Sequence, residues 1–229
     1  MPQYQHIIII NPKESIMPFE VEIIKALQQG ATRDFIYVQR VFSYTASVFV
    51  VLVLALVFYF AYNKRFALSF LITQGITYGI GFILKRIIAR PRPYTVIGNG
   101  VLCFMEESGY SMPSGHSLCA MVITCFVIWL VCRSVKDKWA KGFSIAGMLV
   151  YLFAMGYNRM FLGVHYLTDI LLGWAISLLA FLAVYFLEPK VYAFIQKKIE
   201  QKHAKDKESA NNTSTTPNSE VKSSSKSVK

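Results

Sequence analysis

The sequence predicts an all-α integral membrane protein, a bundle of about five transmembrane helices preceded by an amphipathic helix. Three observations carry that expectation. The chain of 229 residues is 54% hydrophobic with a mean hydropathy of +0.41, too apolar for an ordinary soluble domain. Five uncharged stretches, residues 41–62, 66–84, 117–132, 142–158 and 170–187, each approach the roughly 20 residues that a helix needs to cross a bilayer. Basic residues collect at their ends, as in Lys64-Arg65, Arg133, Lys136, Lys138 and Lys141. Buried helices of a large soluble protein would need more polar sequence to cover them than this length supplies.

In chain order, residues 1–40 form a leading segment. The isoleucine run at 7–10 is too short for the apolar core of a cleavable signal. Residues 19–27 (FEVEIIKAL) place Phe19, Ile23 and Leu27 four apart, with Glu20, Glu22 and Lys25 elsewhere. That spacing suits a short amphipathic helix on the membrane surface, or equally one packed on the spans. Residues 41–188 form the transmembrane domain. Its third and fourth stretches reach spanning length only if the polar blocks at their ends lie at or slightly below the lipid head groups. Residues 189–229 form a basic tail. From about Lys202 onward the tail is rich in Ser, Thr, Asn, Lys and Glu, and disorder is expected there.

The net charge of +11 resembles that of a nucleic-acid binder, but its placement gives another reading. The cations flank spans or follow the last one, as Lys190, Lys197, Lys198, Lys202, Lys205 and Lys207. Basic loops stay in the cytoplasm, so no nucleic-acid partner is expected. With residues 63–65, 135–141 and the C-terminus cytoplasmic, five spans alternate only with the N-terminus outside. The ends carrying Lys85, His116, Arg159 and His165 then all emerge on the extracytoplasmic side. Lys85, Arg86, Arg90 and Arg92 break the positive-inside bias there, which an anionic ligand would explain. Cys119, Cys125 and Cys132 share one expected helix, six or seven residues apart and so about 9 Å or more along its axis. That is too far to bridge. Neither a disulfide framework, a metal site nor a cofactor is expected.

Three short blocks at the span edges carry the chemistry. The first runs from Lys85 to Arg92-Pro93, the second is Pro113-Ser114-Gly115-His116, and the third holds Arg159, His165 and Asp169. Ionisable groups beside a span are costly and usually functional. The second block reads either as an ordinary capped helix start or as an anion site, with Ser114, Gly115 and His116 presenting backbone N–H groups and Gly115 admitting an oxyanion closely. His165 and Asp169 are four apart, hence on one helix face. They form either a structural pair or a nucleophile whose tautomer the carboxylate fixes. Arg92 and Arg159 offer planar forks to a phosphate and Lys85 a point charge. Arg86 and Arg90 fit snorkelling interface anchors better and are left outside the site.

In order and internal spacing, the three blocks resemble the signature of the type 2 phosphatidic acid phosphatase family. Those membrane lipid phosphatases are related to vanadium haloperoxidases and bacterial acid phosphatases. The likeness spans residues 85–169 and departs at Asn158, where the family usually has Ser. An amide can still donate to a phosphate oxygen. The resemblance implies that His165 attacks phosphorus to give a phosphohistidine, that His116 protonates the leaving oxygen and that no metal is required. The expected function is hydrolysis of a lipid phosphate at the extracytoplasmic face, with phosphatidate, phosphatidylglycerol phosphate and a polyprenyl diphosphate as candidate substrates. The alternative is a non-catalytic lipid-phosphate binder or transporter, which would need the cations but neither acid nor nucleophile. The loop over residues 94–112 should overhang the pocket, with Glu106, Glu107 and Tyr110 placed for head-group selection.

Overall fold

The structure is a computed structural model and describes residues 17–96 and 100–214. The isoleucine run at 7–10 and the tail beyond 214 lie outside the described residues. The chain divides into two compact units, Met1–Val184 and Tyr185–Lys229. Every regular element among the described residues is helical: α1 Pro18–Gln28, α2 Arg33–Ser43, α3 Val48–Ala61, α4 Lys64–Ile88, α5 Gly115–Ser134, α6 Lys138–Phe161 and α7 Leu167–Ser214. Single 3₁₀ turns occupy Tyr44–Ala46 and Pro93–Thr95.

The segments Lys64–Thr95, Gly115–Ser134, Lys138–Phe161 and Leu167–Asp206 are each long and apolar enough to cross a membrane. The stretch expected as an unbroken first span is instead a bent pair, α2 with its 3₁₀ turn and then α3, inclined by 47°. The break falls at Ser47, whose extended backbone starts a new helix and whose hydroxyl accepts from Val50 N. Side-chain oxygens on Thr32, Asn63, Ser114 and Asp137 likewise cap α2, α4, α5 and α6.

Helix α3 packs on α4, α4 on α5, and α5 on α6. Phe58, Phe66, Phe70 and Phe126 interlock edge to face at the centre, with ring centroids 5.0–5.3 Å apart. The outer faces carry exposed Phe49, Phe60, Phe143 and Leu179, as helices facing lipid would. Short turns join α3 to α4 and α5 to α6. The C-terminal ends of α4 and α6 therefore lie with the N-terminal ends of α5 and α7, which is where the three polar blocks fall.

Helix α1 forms where the periodicity places it, but it turns a different face inward. Glu20, Val21, Ile24 and Gln28 are buried, whereas Phe19 is 51% exposed. Val21 and Ile24 pack against Tyr166, with Val101 and Met160 alongside. The inward face is chosen by partners for Glu20 and Gln28, which hydropathy does not register. The tail departs from expectation too: residues 202–214, expected to be disordered, are helical. Lys, Glu, Gln and Ala have high helix propensity, and a helix needs no apolar core to form from them. All four cysteines are free.

Candidate active site

Each polar block sits where a helix ends. Helix α4 stops at Ala89, held in the left-handed region at φ 48°, which turns the chain out before Arg90-Pro91-Arg92-Pro93. Helix α5 starts at Gly115 under the Ser114 cap. Arg159 lies in the last turn of α6 and Asp169 in the first turn of α7, with Gly163 at φ 77° in the turn between them. Backbone bonds tie these ends together, Ser111 N to Arg90 O at 2.9 Å and Ser114 N to Asp169 O at 3.1 Å.

Four of the residues expected at the site, Arg92, His116, Arg159 and His165, converge on one acceptor, Glu107. Arg92 Nη1 lies 2.9 Å from Glu107 Oε2, and Arg159 Nη2 donates to Glu107 Oε1. His165 Nε2 is 3.6 Å from Oε2 and His116 Nδ1 is 3.7 Å from Oε1. Arg92 Nη1 also approaches His165 Nε2 at 3.4 Å. Burial alone would raise the Glu107 carboxyl, but its contact with His165 and the charges of Arg159, His165 and His116 hold it well below the usual carboxylate range. It is therefore an anion, held where two histidines and two arginines meet.

A cavity of about 560 Å³ opens beside it. Lys85, Arg92, Glu107, Ser108, Gly115 and His116 line it, together with Ala46, Val48 and Tyr78. Arg159 and His165 are fully buried, and Glu107 touches both while also lining the cavity. Lys85 Nζ donates to Tyr110 O at 2.7 Å. A Cβ added at Gly115 would meet nothing within 4 Å, so this side of the helix start is open. Ser114 is more committed than its sequence position implied. Its hydroxyl accepts from Ser117 N, and its own N–H is spent on Asp169 O. That leaves the N–H groups of Gly115 and His116, which have no intrahelical acceptor at the start of α5.

Behind His165 stands Asp169. Its Oδ2 lies 3.5 Å from His165 Nδ1, beyond a good hydrogen bond, and Nδ1 has no other partner among the described residues. The same oxygen accepts from Ser111 Oγ and from Tyr166 N, and Oδ1 accepts from Arg90 Nη1 at 2.6 Å. Arg90 is thus no snorkelling anchor. It is 3% exposed, stacks 4.0 Å over the Tyr166 ring, and its Nη2 reaches Glu20 Oε2 at 2.6 Å. An Arg-Pro-Arg-Pro string at a span end looks like surface charge; the partner that draws Arg90 inward lies 70 residues away on α1. Arg86 lies over the Phe82 ring at 4.2 Å, away from these contacts.

Asn158 also departs from expectation. Its amide donates to Gln39 O at 2.6 Å and Gln39 Oε1 at 2.8 Å, tying α6 to α2 and leaving no donor for a phosphate. Arg159 is steadied instead by Ser43 Oγ, which accepts from its Nη1.

The loop carrying Glu107 is held from both sides. Arg92 donates to Gly109 O at 3.0 Å and Ser108 O at 2.9 Å. Buried Gln28 bridges Leu102 and the Phe161 carbonyl, and Arg40 Nε reaches Phe104 O at 2.6 Å.

The sequence model of the PAP2 superfamily matches residues 66–192, a stretch that contains all three polar blocks. An undecaprenyl-diphosphatase of Sulfolobus acidocaldarius is 29% identical over 133 residues, 58% of this chain and 60% of that protein. A phosphatidylglycerophosphatase B of Bacillus subtilis is 32% identical over 142 residues, 60% of this chain and 66% of that one. The chain therefore spans just under two thirds of the length of these relatives. It is also similar to the crystal structure of a transmembrane PAP2-type phosphatidylglycerolphosphate phosphatase from Bacillus subtilis. That match has a TM-score of 0.65 at 25% identity and covers 79% of this chain and 88% of the other. On the family match and the shared fold, the chain belongs to the PAP2 superfamily.

Proposed function

We propose that this chain is an integral membrane lipid phosphatase that cleaves a phosphomonoester or diphosphate from a lipid through a phosphohistidine. The observation that carries the reading is the convergence of His116, His165, Arg92 and Arg159 on a single anion, Glu107. A binder or transporter would need the arginines alone. Undecaprenyl diphosphate and phosphatidylglycerol phosphate, named by the relatives, head the candidate substrates, with phosphatidate beside them.

In the proposed reaction the lipid phosphate displaces the Glu107 carboxylate. Arg92 and Arg159 take its oxygens with their forks, Lys85 adds a point charge, and the N–H groups at the start of α5 complete the cradle. Such fixed donors stabilise the charge that spreads over the equatorial oxygens. With the proton on Nδ1 toward Asp169, the Nε2 lone pair of His165 attacks phosphorus. The bond to the lipid oxygen breaks, its electron pair stays on that oxygen, and protonated His116 supplies the proton. Neutral His116 then takes a proton from water, whose oxygen attacks phosphorus. The phosphorus–nitrogen bond breaks, inorganic phosphate leaves and His165 is restored.

The site is assigned to the extracytoplasmic face because the basic turns, Lys64-Arg65 and residues 133–141, lie at the other end of the bundle. The test is phosphate release by detergent-solubilised protein across a panel of lipid phosphates, with EDTA present and with acid quenching to trap labelled enzyme. The wild type is expected to trap a covalent phosphoryl group, and His165→Ala to trap none and release none. Turnover by that variant at the wild-type rate would overturn the nucleophile.

A further inference from the structure

We infer that Glu20, on the leading helix α1, is a positioning residue for the reaction: by holding one half of the Arg90 fork it keeps Asp169 in place behind His165. This rests on the proposed roles of His165 and Asp169.

Glu20 is fully buried, a costly place for a carboxylate unless every lone pair is used. Its Oε1 accepts from Thr168 N at 2.9 Å and Thr168 Oγ1 at 2.8 Å, in the first turn of α7. Its Oε2 accepts from Arg90 Nη2 at 2.6 Å. A carboxylate on the N-terminal N–H groups of a helix is well placed, and this helix carries Asp169 one residue further on. Arg90 Nη1 completes the path, reaching Asp169 Oδ1 at 2.6 Å and Thr168 Oγ1 at 2.7 Å.

The planar guanidinium makes this more than a fastening. Its two terminal nitrogens sit on two different carboxylates, so its charge is divided between them. Asp169 already gives Oδ2 to Ser111 and to Tyr166 N, and stands 3.5 Å from His165 Nδ1. Without the Glu20 charge, the whole fork would close on Asp169 and draw it further from the imidazole. Arg92, Arg159 and Lys85 make no contact with Glu20, Arg90 or Thr168. The consequence falls on the chemical step and spares substrate binding.

The experiment compares Glu20→Gln, Glu20→Asp and Asp169→Asn in the full chain in detergent, on phosphatidate. Active sites are counted by vanadate binding so that any loss of folded protein cancels. The isosteric Glu20→Gln is expected to lower kcat roughly 10- to 100-fold, as a small misplacement of a reacting group does, with KM within about twofold of wild type. Glu20→Asp, which keeps the charge, is expected to recover most of the kcat. Wild-type kcat per site in Glu20→Gln overturns the inference, and so does a loss confined to KM or to protein yield. If Glu20→Gln does not fold, Arg90→Lys, which keeps a cation between the two carboxylates but loses the fork, is assayed in its place. Unchanged kcat in that variant overturns the inference equally. Asp169→Asn separates the two levels: if it keeps wild-type kcat, the proposed use of Asp169 fails and not merely the part given to Glu20.

Discussion

At the scale of single residues, the most consequential one is Glu107, because a carboxylate stands where the proposed substrate places a phosphate. It meets Arg92, Arg159 and both histidines and is held as an anion, so it opposes every anionic ligand that enters. Glu107→Gln is expected to tighten inhibition by vanadate and to lower KM, each about tenfold, equivalent to about 1.4 kcal/mol. Weaker vanadate binding in that variant would mean that Glu107 helps to hold the ligand. His116 gives a second prediction. As the proposed general acid, worth typically about 10²–10⁴-fold, its replacement by Ala should slow phosphatidate far more than p-nitrophenyl phosphate, whose phenolate leaves without a proton. Equal losses on the two substrates would place His116 in the clamp. The residues behind both predictions were legible to different degrees. His116, His165, Arg92 and Arg159 stand out because charge beside an apolar run is costly in any fold. Glu107 stood out only as one of several polar residues in a loop. Glu20 and Arg90 did not, since each is explained by a partner distant in the chain.

At the scale of elements, the helix ends matter more than the helices. The same few caps and turns fix where each block points, and Gly163 does so under the tightest constraint. Its φ of 77° suits glycine, and an added Cβ would run into the Leu102 carbonyl of the loop that carries Glu107. Gly163→Ala therefore costs the left-handed strain, about 1–2 kcal/mol, and forces either that loop or the turn to His165 to move. At least a tenfold loss of phosphate release is expected, with helix content by circular dichroism unchanged. Full activity would show that the loop yields without disturbing Glu107. Long apolar runs made α4 to α7 readable, since length and hydropathy alone decide a span. The break at Ser47 was less visible, because a serine that caps a helix has the same composition as one inside a span. The helical residues 202–214 had no apolar signal of this kind, only propensity.

At the scale of the whole molecule, lipid replaces water as the solvent, so apolar contact does little to drive helix association and close packing must. The interlocked rings of Phe58, Phe66, Phe70 and Phe126 meet that need at the centre of the bundle. The same solvent makes sidedness a physical property of the chain. Lys85, Arg90 and Arg92 share one end with the site, while Lys64-Arg65 and Arg133 to Lys141 lie at the other, the end that the proposed topology puts in the cytoplasm. The chain carries its own reporter of this arrangement. Cys103 is exposed in the loop over the site, whereas Cys119 and Cys125 are buried. A membrane-impermeant maleimide should label Cys103 in intact cells when exposed Cys132 is replaced by Ser. Slight burial, with the Glu106 charge close by, raises the Cys103 thiol above its ordinary range, so the reaction belongs at mildly alkaline pH. The paired probe is Lys136→Cys, exposed in the turn between α5 and α6, with Cys103 and Cys132 both replaced by Ser. It should label only after permeabilisation. The reverse pattern would put the site in the cytoplasm and exclude every substrate of the outer leaflet. It would leave the chemistry proposed for His165 and His116 intact, because that chemistry depends on what surrounds the phosphate and not on which side it arrives from.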